Sequence, residues 1–209
     1  MASFAGTWLR YMAGLRLAPY VPAPDVSPHD CTTLLPALSS NLSCVAKVVC
    51  DKMLELAKLR AGETLVDLGC GDGRLLLRAV SPPFNAGSAV GFELDDDLVA
   101  AARRAAGSCG RVRILQQDLR TSDEFLRKAD VVSLYLTQKG NASLLPLLQA
   151  SLRPGARVVS YVWGMGDELP PSRTANAVGT GVVLTTPRPN ILLWEQEALV
   201  HHSPASPHR

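Results

Sequence analysis

The chain has 209 residues, 47% of them hydrophobic and 19% charged, a globular composition that excludes wholesale disorder, collagen and coiled coil. Its 21 basic and 19 acidic residues leave a net charge of +2. Arg10 and Arg16 precede the first acid, Asp25, so the rest of the chain is neutral and lacks the basic excess of a dedicated nucleic-acid binder.

Residues 1–24 carry those two arginines, no acid, and Phe4, Trp8, Met12 and Leu15 at near-helical spacing. They read as a targeting or anchoring segment: a mitochondrial presequence or a peripheral membrane contact, with a helix packed on the domain as the plainer alternative. No apolar run reaches the ~20 residues of a membrane span. Pro19, Pro22, Pro24 and Pro28 break any helix, and residues 25–44 read as an irregular connection. The main domain is expected over residues 45–200, with 201–209 as a disordered polar tail.

Within that domain, Val45, Val49, Met53, Leu56 and Leu59 recur at helical spacing, which predicts a helix over 45–60 closed by Gly62. Strands follow at 64–68, 89–93, 112–116, 131–136 and 156–163. They alternate with helices at 74–80, 95–106, near 122–127 and at 142–152. That rhythm means βαβ units, hence a doubly wound α/β fold around a mostly parallel sheet covered on both faces. Residues 164–179 read as loop, and 182–186 and 191–198, joined by a turn at 187–190, as a C-terminal antiparallel hairpin.

The five cysteines are odd in number, widely spaced and without a CxxC pair, and read as scattered reduced thiols. Three of the four histidines sit in the last nine residues, so material for a metal centre or a Ser-His-Asp triad is lacking and no metal is expected.

The most informative segment is Asp67-Leu68-Gly69-Cys70-Gly71-Asp72-Gly73-Arg74, at the carboxyl end of the first strand and opening a helix. Open parallel sheets bind ligands at that edge. A dinucleotide loop needs GxGxxG, but here the third glycine comes one place early, and Asp67, two residues before the first glycine, is unfavourable beside a pyrophosphate. A carboxylate-led turn suits a cation instead, such as the ammonium and sulfonium of S-adenosylmethionine. Glu93 ends the second strand, where a carboxylate reaches both ribose hydroxyls, with Leu94 beside it. Asp118 ends the third strand, placed to accept from the adenine amino group while the Leu119 N–H reaches a ring nitrogen. Each has a plainer alternative: Glu93 as a solvent charge, Asp118 as a helix cap, Asp72 as a bond to its own loop. The expected cofactor-binding set is Asp67, Gly69, Cys70, Gly71, Asp72, Gly73, Glu93, Leu94, Asp118 and Leu119.

With these motifs in order, the chain resembles the class I, seven-strand S-adenosylmethionine-dependent methyltransferases over residues 45–198. A narrower likeness rests on Pro19-Tyr20-Val21-Pro22-Ala23-Pro24, Met53-Leu54-Glu55-Leu56-Ala57, the Asp67 loop, Leu134-Tyr135-Leu136 and Arg157-Val158-Val159-Ser160 with Met165-Gly166-Asp167. It is similar to a bacterial and mitochondrial group that includes lysine methyltransferases acting on the ATP-synthase c subunit and the adenine nucleotide translocase. That resemblance implies a Rossmann-like methyltransferase fold, a protein-lysine acceptor and a mitochondrial location, with the cytoplasm as the alternative. Methylation of a small molecule or another nucleophile, and a non-catalytic binding protein, are the other functions the fold could serve. No general base is legible; Tyr135, Asn141 and Tyr20 are the candidates for orienting an acceptor amine, with core, cap and turn roles as their plainer readings.

Overall fold

A computed structural model describes residues 41–166, 169–175 and 191–200. Among these residues seven strands form one sheet: β1 (Thr64–Leu68), β2 (Ser88–Glu93), β3 (Val112–Gln116), β4 (Val131–Leu134), β5 (Arg157–Tyr161), β6 (Arg173–Ala175) and β7 (Ile191–Glu195). Among the described residues six α-helices accompany them: α1 (Asn41–Leu56), α2 (Arg74–Val80), α3 (Asp96–Ala106), α4 (Asp123–Leu126), α5 (Gln138–Ser151) and α6 (Gln196–Val200). The strand order is β3-β2-β1-β4-β5-β7-β6. The first five strands run parallel, and β7 lies antiparallel to both β5 and β6. The winding reverses between β1 and β4, which makes their carboxyl ends the switch point where such sheets open a crevice.

Two apolar layers sandwich the sheet. On one face Met53 and Leu54 of α1, Ala57 just past its end, and Leu75, Leu76, Ala79 and Val80 of α2 pack on Leu65, Val159, Ile191 and Leu193. On the other, Leu144 and Leu148 of α5 and Leu199 of α6 pack on Val66, Leu68, Val132, Leu134, Val158 and Trp194. The alternation of Leu65 and Val66 across the pleat is why central strands read as continuous apolar runs. Each of these fully buried large side chains contributes about 1.5–3 kcal/mol.

β1, α2 and β3 have the bounds that the sequence predicts. The bounds of β2, β4, β5, α3 and α4 shift by one or two residues, and four features differ more. First, α1 ends at Leu56, not near residue 60, because Lys58 takes a left-handed conformation (φ 50°). There Leu59 N–H donates to Leu54 O and Lys58 N–H to Glu55 O, the paired bonds of a Schellman close. Second, α5 begins four residues early: Thr137 caps it by accepting from Gly140 N at 3.1 Å, which puts Asn141 inside the helix instead of at its cap. Third, the partner of β7 is the short β6 within the expected loop, and β7 gives way to α6 after Glu195, so 196–198 are helical rather than extended. The strand expected at 182–186 lies outside the described residues, as do segments 1–24 and 201–209, residues 25–40 and Tyr20. Fourth, Cys50 and Cys70 are buried free thiols, but Cys109 is disulfide-bonded, which corrects the expectation of uniformly reduced cysteines.

Among the described residues no helix is long and apolar enough to cross a membrane, and no cluster of metal-binding side chains occurs.

Candidate active site

The turn after β1 is pinned to the end of β2. Gly69 and Cys70 both donate their backbone N–H to Phe92 O, at 3.0 and 2.9 Å. Gly71 donates to Glu93 Oε2 at 3.0 Å, and Glu93 Oε1 accepts from Leu94 and Asp95 at 2.8 and 3.0 Å. Glu93 therefore points at the glycine loop and clamps it. Its Oε1 is filled by two backbone donors, while Oε2 keeps a second lone pair for a ligand.

The three glycines do different work. Gly71 (φ 55°) faces open space: a Cβ there would meet no protein atom within 4 Å. Gly73 (φ 79°) lets α2 approach α3, since its Cβ would stand 3.2 Å from that of Ala102. Gly69 (φ 97°) sits under Leu136, whose Cδ2 would lie 3.0 Å from an added Cβ. The Cys70 side chain does not face the crevice; it is buried over Gly91, and burial pushes its thiol pKa up.

Asp67 lies on the same face of β1 as Leu65 and is 5% exposed. Ser133, its register neighbour on β4, donates to Asp67 Oδ1 at 2.6 Å. Burial raises the Asp67 carboxyl to about 7; the Ser133 bond opposes the rise, while the Glu93 and Asp72 carboxylates add to it. Asp72 is held by Arg74, which donates through Nε and Nη2. Arg74 N also donates to Asp72 Oδ1, at 3.3 Å, so the local bond expected as its plainer role is present.

At the end of β3, Asp118 caps the 3₁₀ turn Leu119–Thr121 by accepting from Arg120 N at 2.9 Å. The Arg120 guanidinium bonds the same carboxylate and holds its pKa below the usual range. The cap is thus present, and the carboxylate stays partly exposed beside it. The Leu119 side chain packs into the apolar layer, whereas Leu94 is 53% exposed at the lip.

The neighbouring half of the edge is aromatic. Tyr135, just past β4, packs against Tyr161 at the end of β5 with ring centroids 5.0 Å apart and the rings tilted by 56°, and burial raises both phenols. Asn141 has no exposed surface; its Nδ2 donates to Ser160 Oγ at 3.0 Å and to Trp163 O at 2.8 Å. It contacts no incoming group directly. Ser133, Ser160, Tyr161 and Trp163 escape sequence reasoning, although a serine inside the apolar run 131–134 is a signal for a buried polar partner.

The expected cationic methyl donor fits this set. Three carboxylates converge on the loop, an acceptor lone pair remains on Glu93, and the space over Gly71 admits a ligand where any side chain would intrude.

Comparison with known proteins agrees. Residues 67–172 match the family model described as the ANTKMT methyltransferase domain. A protein-lysine N-methyltransferase of Saccharolobus islandicus is 34% identical over 146 residues, covering 68% of this chain and 75% of that protein. The adenine nucleotide translocase lysine N-methyltransferase of Mus musculus is 38% identical over 113 residues, covering 53% of this chain but only 47% of the mouse protein. An RNA methyltransferase from Salinibacter ruber, solved with S-adenosyl-L-homocysteine, superposes with a TM-score of 0.62 at 35% identity, covering 77% of this chain and 96% of that one.

Proposed function

We propose, from the premise that this chain belongs to the ANTKMT methyltransferase-domain family of S-adenosylmethionine-dependent methyltransferases, that its methyl acceptor is a lysine side chain of a protein. The observation that carries the acceptor reading is the aromatic rim of Tyr135 and Tyr161 beside the carboxylate-lined turn. Two named lysine methyltransferases among the relatives support it.

Bound S-adenosylmethionine supplies a methyl on a sulfonium, so transfer forms one N–C bond as the C–S bond breaks and its electron pair settles on sulfur. What the chain adds is alignment, a dry site and charge. Gly71 leaves room for the nucleoside, Glu93 Oε2 offers an acceptor to ribose, and Asp118 stands at the end of β3 for the adenine. Asp67, Asp72 and Glu93 counter the positive charge, while Gly69, Gly73 and the backbone of Cys70 shape the turn. Leu94 is exposed at the lip, and the Leu119 backbone N–H stands beside Asp118 for a ring nitrogen of the base. The acceptor side must overcome a different obstacle. At pH 7 only about one lysine in 2,500 is neutral, from a reference pKa of ~10.4. An apolar, aromatic rim disfavours the ammonium and so favours loss of its proton to water before attack.

The Salinibacter neighbour raises RNA as a second acceptor class, but the near balance of 21 basic and 19 acidic residues gives no phosphate-binding excess. Tritiated S-adenosylmethionine incubated with the chain and a whole-cell extract separates the readings. Tritium recovered as methylated lysine after protein hydrolysis supports the proposal; tritium confined to RNA or small molecules overturns it. A mitochondrial site of action is proposed from the arginine-bearing, acid-free residues 1–24. Fluorescent fusions with and without that segment test it, and a cytoplasmic signal from both refutes it.

A further inference from the structure

Resting on the lysine reading above, we infer that Trp163 is the specificity lip on which the acceptor side chain lies, and that Asn141 is the positioning residue that holds it there. The strand order supplies the first step. The carboxylate-lined turn occupies the ends of β1 and β2, so an acceptor must approach from the other side of the switch point, over β4 and β5. Residues Tyr161 to Trp163 leave β5 at that place.

The turn they make is unusual. Trp163 N–H donates to Tyr161 O at 2.8 Å, two residues back, and Val162 between them has φ 67°. That is a γ-turn of the rare, strained hand, with a β-branched residue where the backbone disfavours one. Such strain persists only where the surroundings over-determine it. Here they do: Trp163 O accepts from Asn141 Nδ2 at 2.8 Å and Ser160 Oγ at 2.6 Å, and Asn141 and Ser160 are themselves bonded and buried. The network spends two buried polar groups, and leaves Asn141 Oδ1 without a partner, to hold one backbone carbonyl.

Its product is exposure of apolar surface. Trp163 is 41% and Val162 40% exposed, beside the half-buried pair Tyr135 and Tyr161. A fold gains nothing from straining a backbone to put tryptophan in water. A ligand with a long apolar stem gains burial there. A protein lysine has that chemistry, whereas a phosphate-backed acceptor does not.

The test uses the full chain with Trp163→Ala, Trp163→Phe and Val162→Gly, none of them in the carboxylate-lined turn. Tritiated S-adenosylmethionine and a graded amount of whole-cell protein extract give the initial labelling rate of the protein acceptor. Calorimetry gives cofactor affinity separately. Trp163→Ala should raise the apparent KM for the protein about tenfold, the ratio matched by loss of one aromatic contact, with cofactor affinity unchanged. Trp163→Phe should restore most of it. Val162→Gly, which relaxes the turn, should raise the apparent KM while leaving the melting temperature equal or higher. An unchanged KM in Trp163→Ala, or a loss of cofactor affinity in its place, overturns the inference and leaves the lysine reading standing. If the unaltered chain labels no protein, the lysine reading falls and takes this inference with it.

Discussion

Asp67→Asn separates what the buried carboxylate does for the ligand from what it does to the fold. Asp67 is 5% exposed and titrates near 7, against 3.8 for an ordinary aspartate. Because the folded value is raised, the fold binds the extra proton between those two pH values. The contribution of Asp67 to stability is therefore greatest at acid pH, declines as pH rises from about 4 to 7, and is flat beyond. The gap corresponds to about 4 kcal/mol at pH 8. Asparagine keeps the shape and an acceptor for Ser133 but carries no charge beside Glu93 and Asp72. Its advantage over the unaltered chain should be roughly a third of that gap near pH 5 and the whole of it at pH 8, as much as ~10 °C in melting temperature for a domain of this size. Ligand binding should go the other way. Cofactor affinity of the unaltered chain should fall about tenfold per pH unit below 7, as the carboxylate takes its proton, while the variant binds weakly and without that slope. Urea denaturation from pH 5 to 8.5 and calorimetry over the same range read both. A variant less stable at pH 8, or one keeping the pH slope of the unaltered chain, would refute the reasoning.

Two further outcomes are expected. Gly71→Val fills the open space over the turn: saturating cofactor, at ~100 times its dissociation constant, should stabilise the unaltered chain by ~2.7 kcal/mol and the variant not at all. The left-handed backbone (φ 55°) adds about 1–3 kcal/mol of strain to the variant, so the comparison is of ligand-induced melting shifts, and an equal shift in both would reject the assignment of the loop. Arg157→Met removes a guanidinium that bonds Ala57 O, Lys58 O and Glu63 at 3.1, 3.0 and 2.8 Å, at the end of the sheet away from the site. It should cost about 3 kcal/mol in urea titration, with Glu63→Gln added in the same chain recovering part; no shift in midpoint would show that the pair is idle.

How much could be read in advance varies by element. β1, the glycine turn and α2 are set by neighbours in sequence, because an apolar run, positive-φ glycines and a helix-forming LLLRAV follow one another without a break. Asp95 caps α3 through Asp97 N and Leu98 N at 3.0 Å each, again a local device. The ends of α1 and α5 were harder, because Lys58 and Thr137 are unremarkable residues whose roles depend on where the next strand must start. β6 has three residues and, among the described residues, one pairing partner, 16 to 20 positions away, so no local pattern announces it.

The chain's own residue order determined the α/β architecture, the carboxylate-led turn and the cationic ligand class, since periodicity, glycine spacing and charge act over a few residues. Only the folded arrangement decided which groups meet: Ser133 on Asp67, Gly71 on Glu93, and Asn141 on the carbonyl of Trp163. Those partners are 66, 22 and 22 positions apart. Their contact, and with it the raised Asp67 carboxyl and the strained aromatic lip, follows from strand order and register, which no short stretch of sequence encodes.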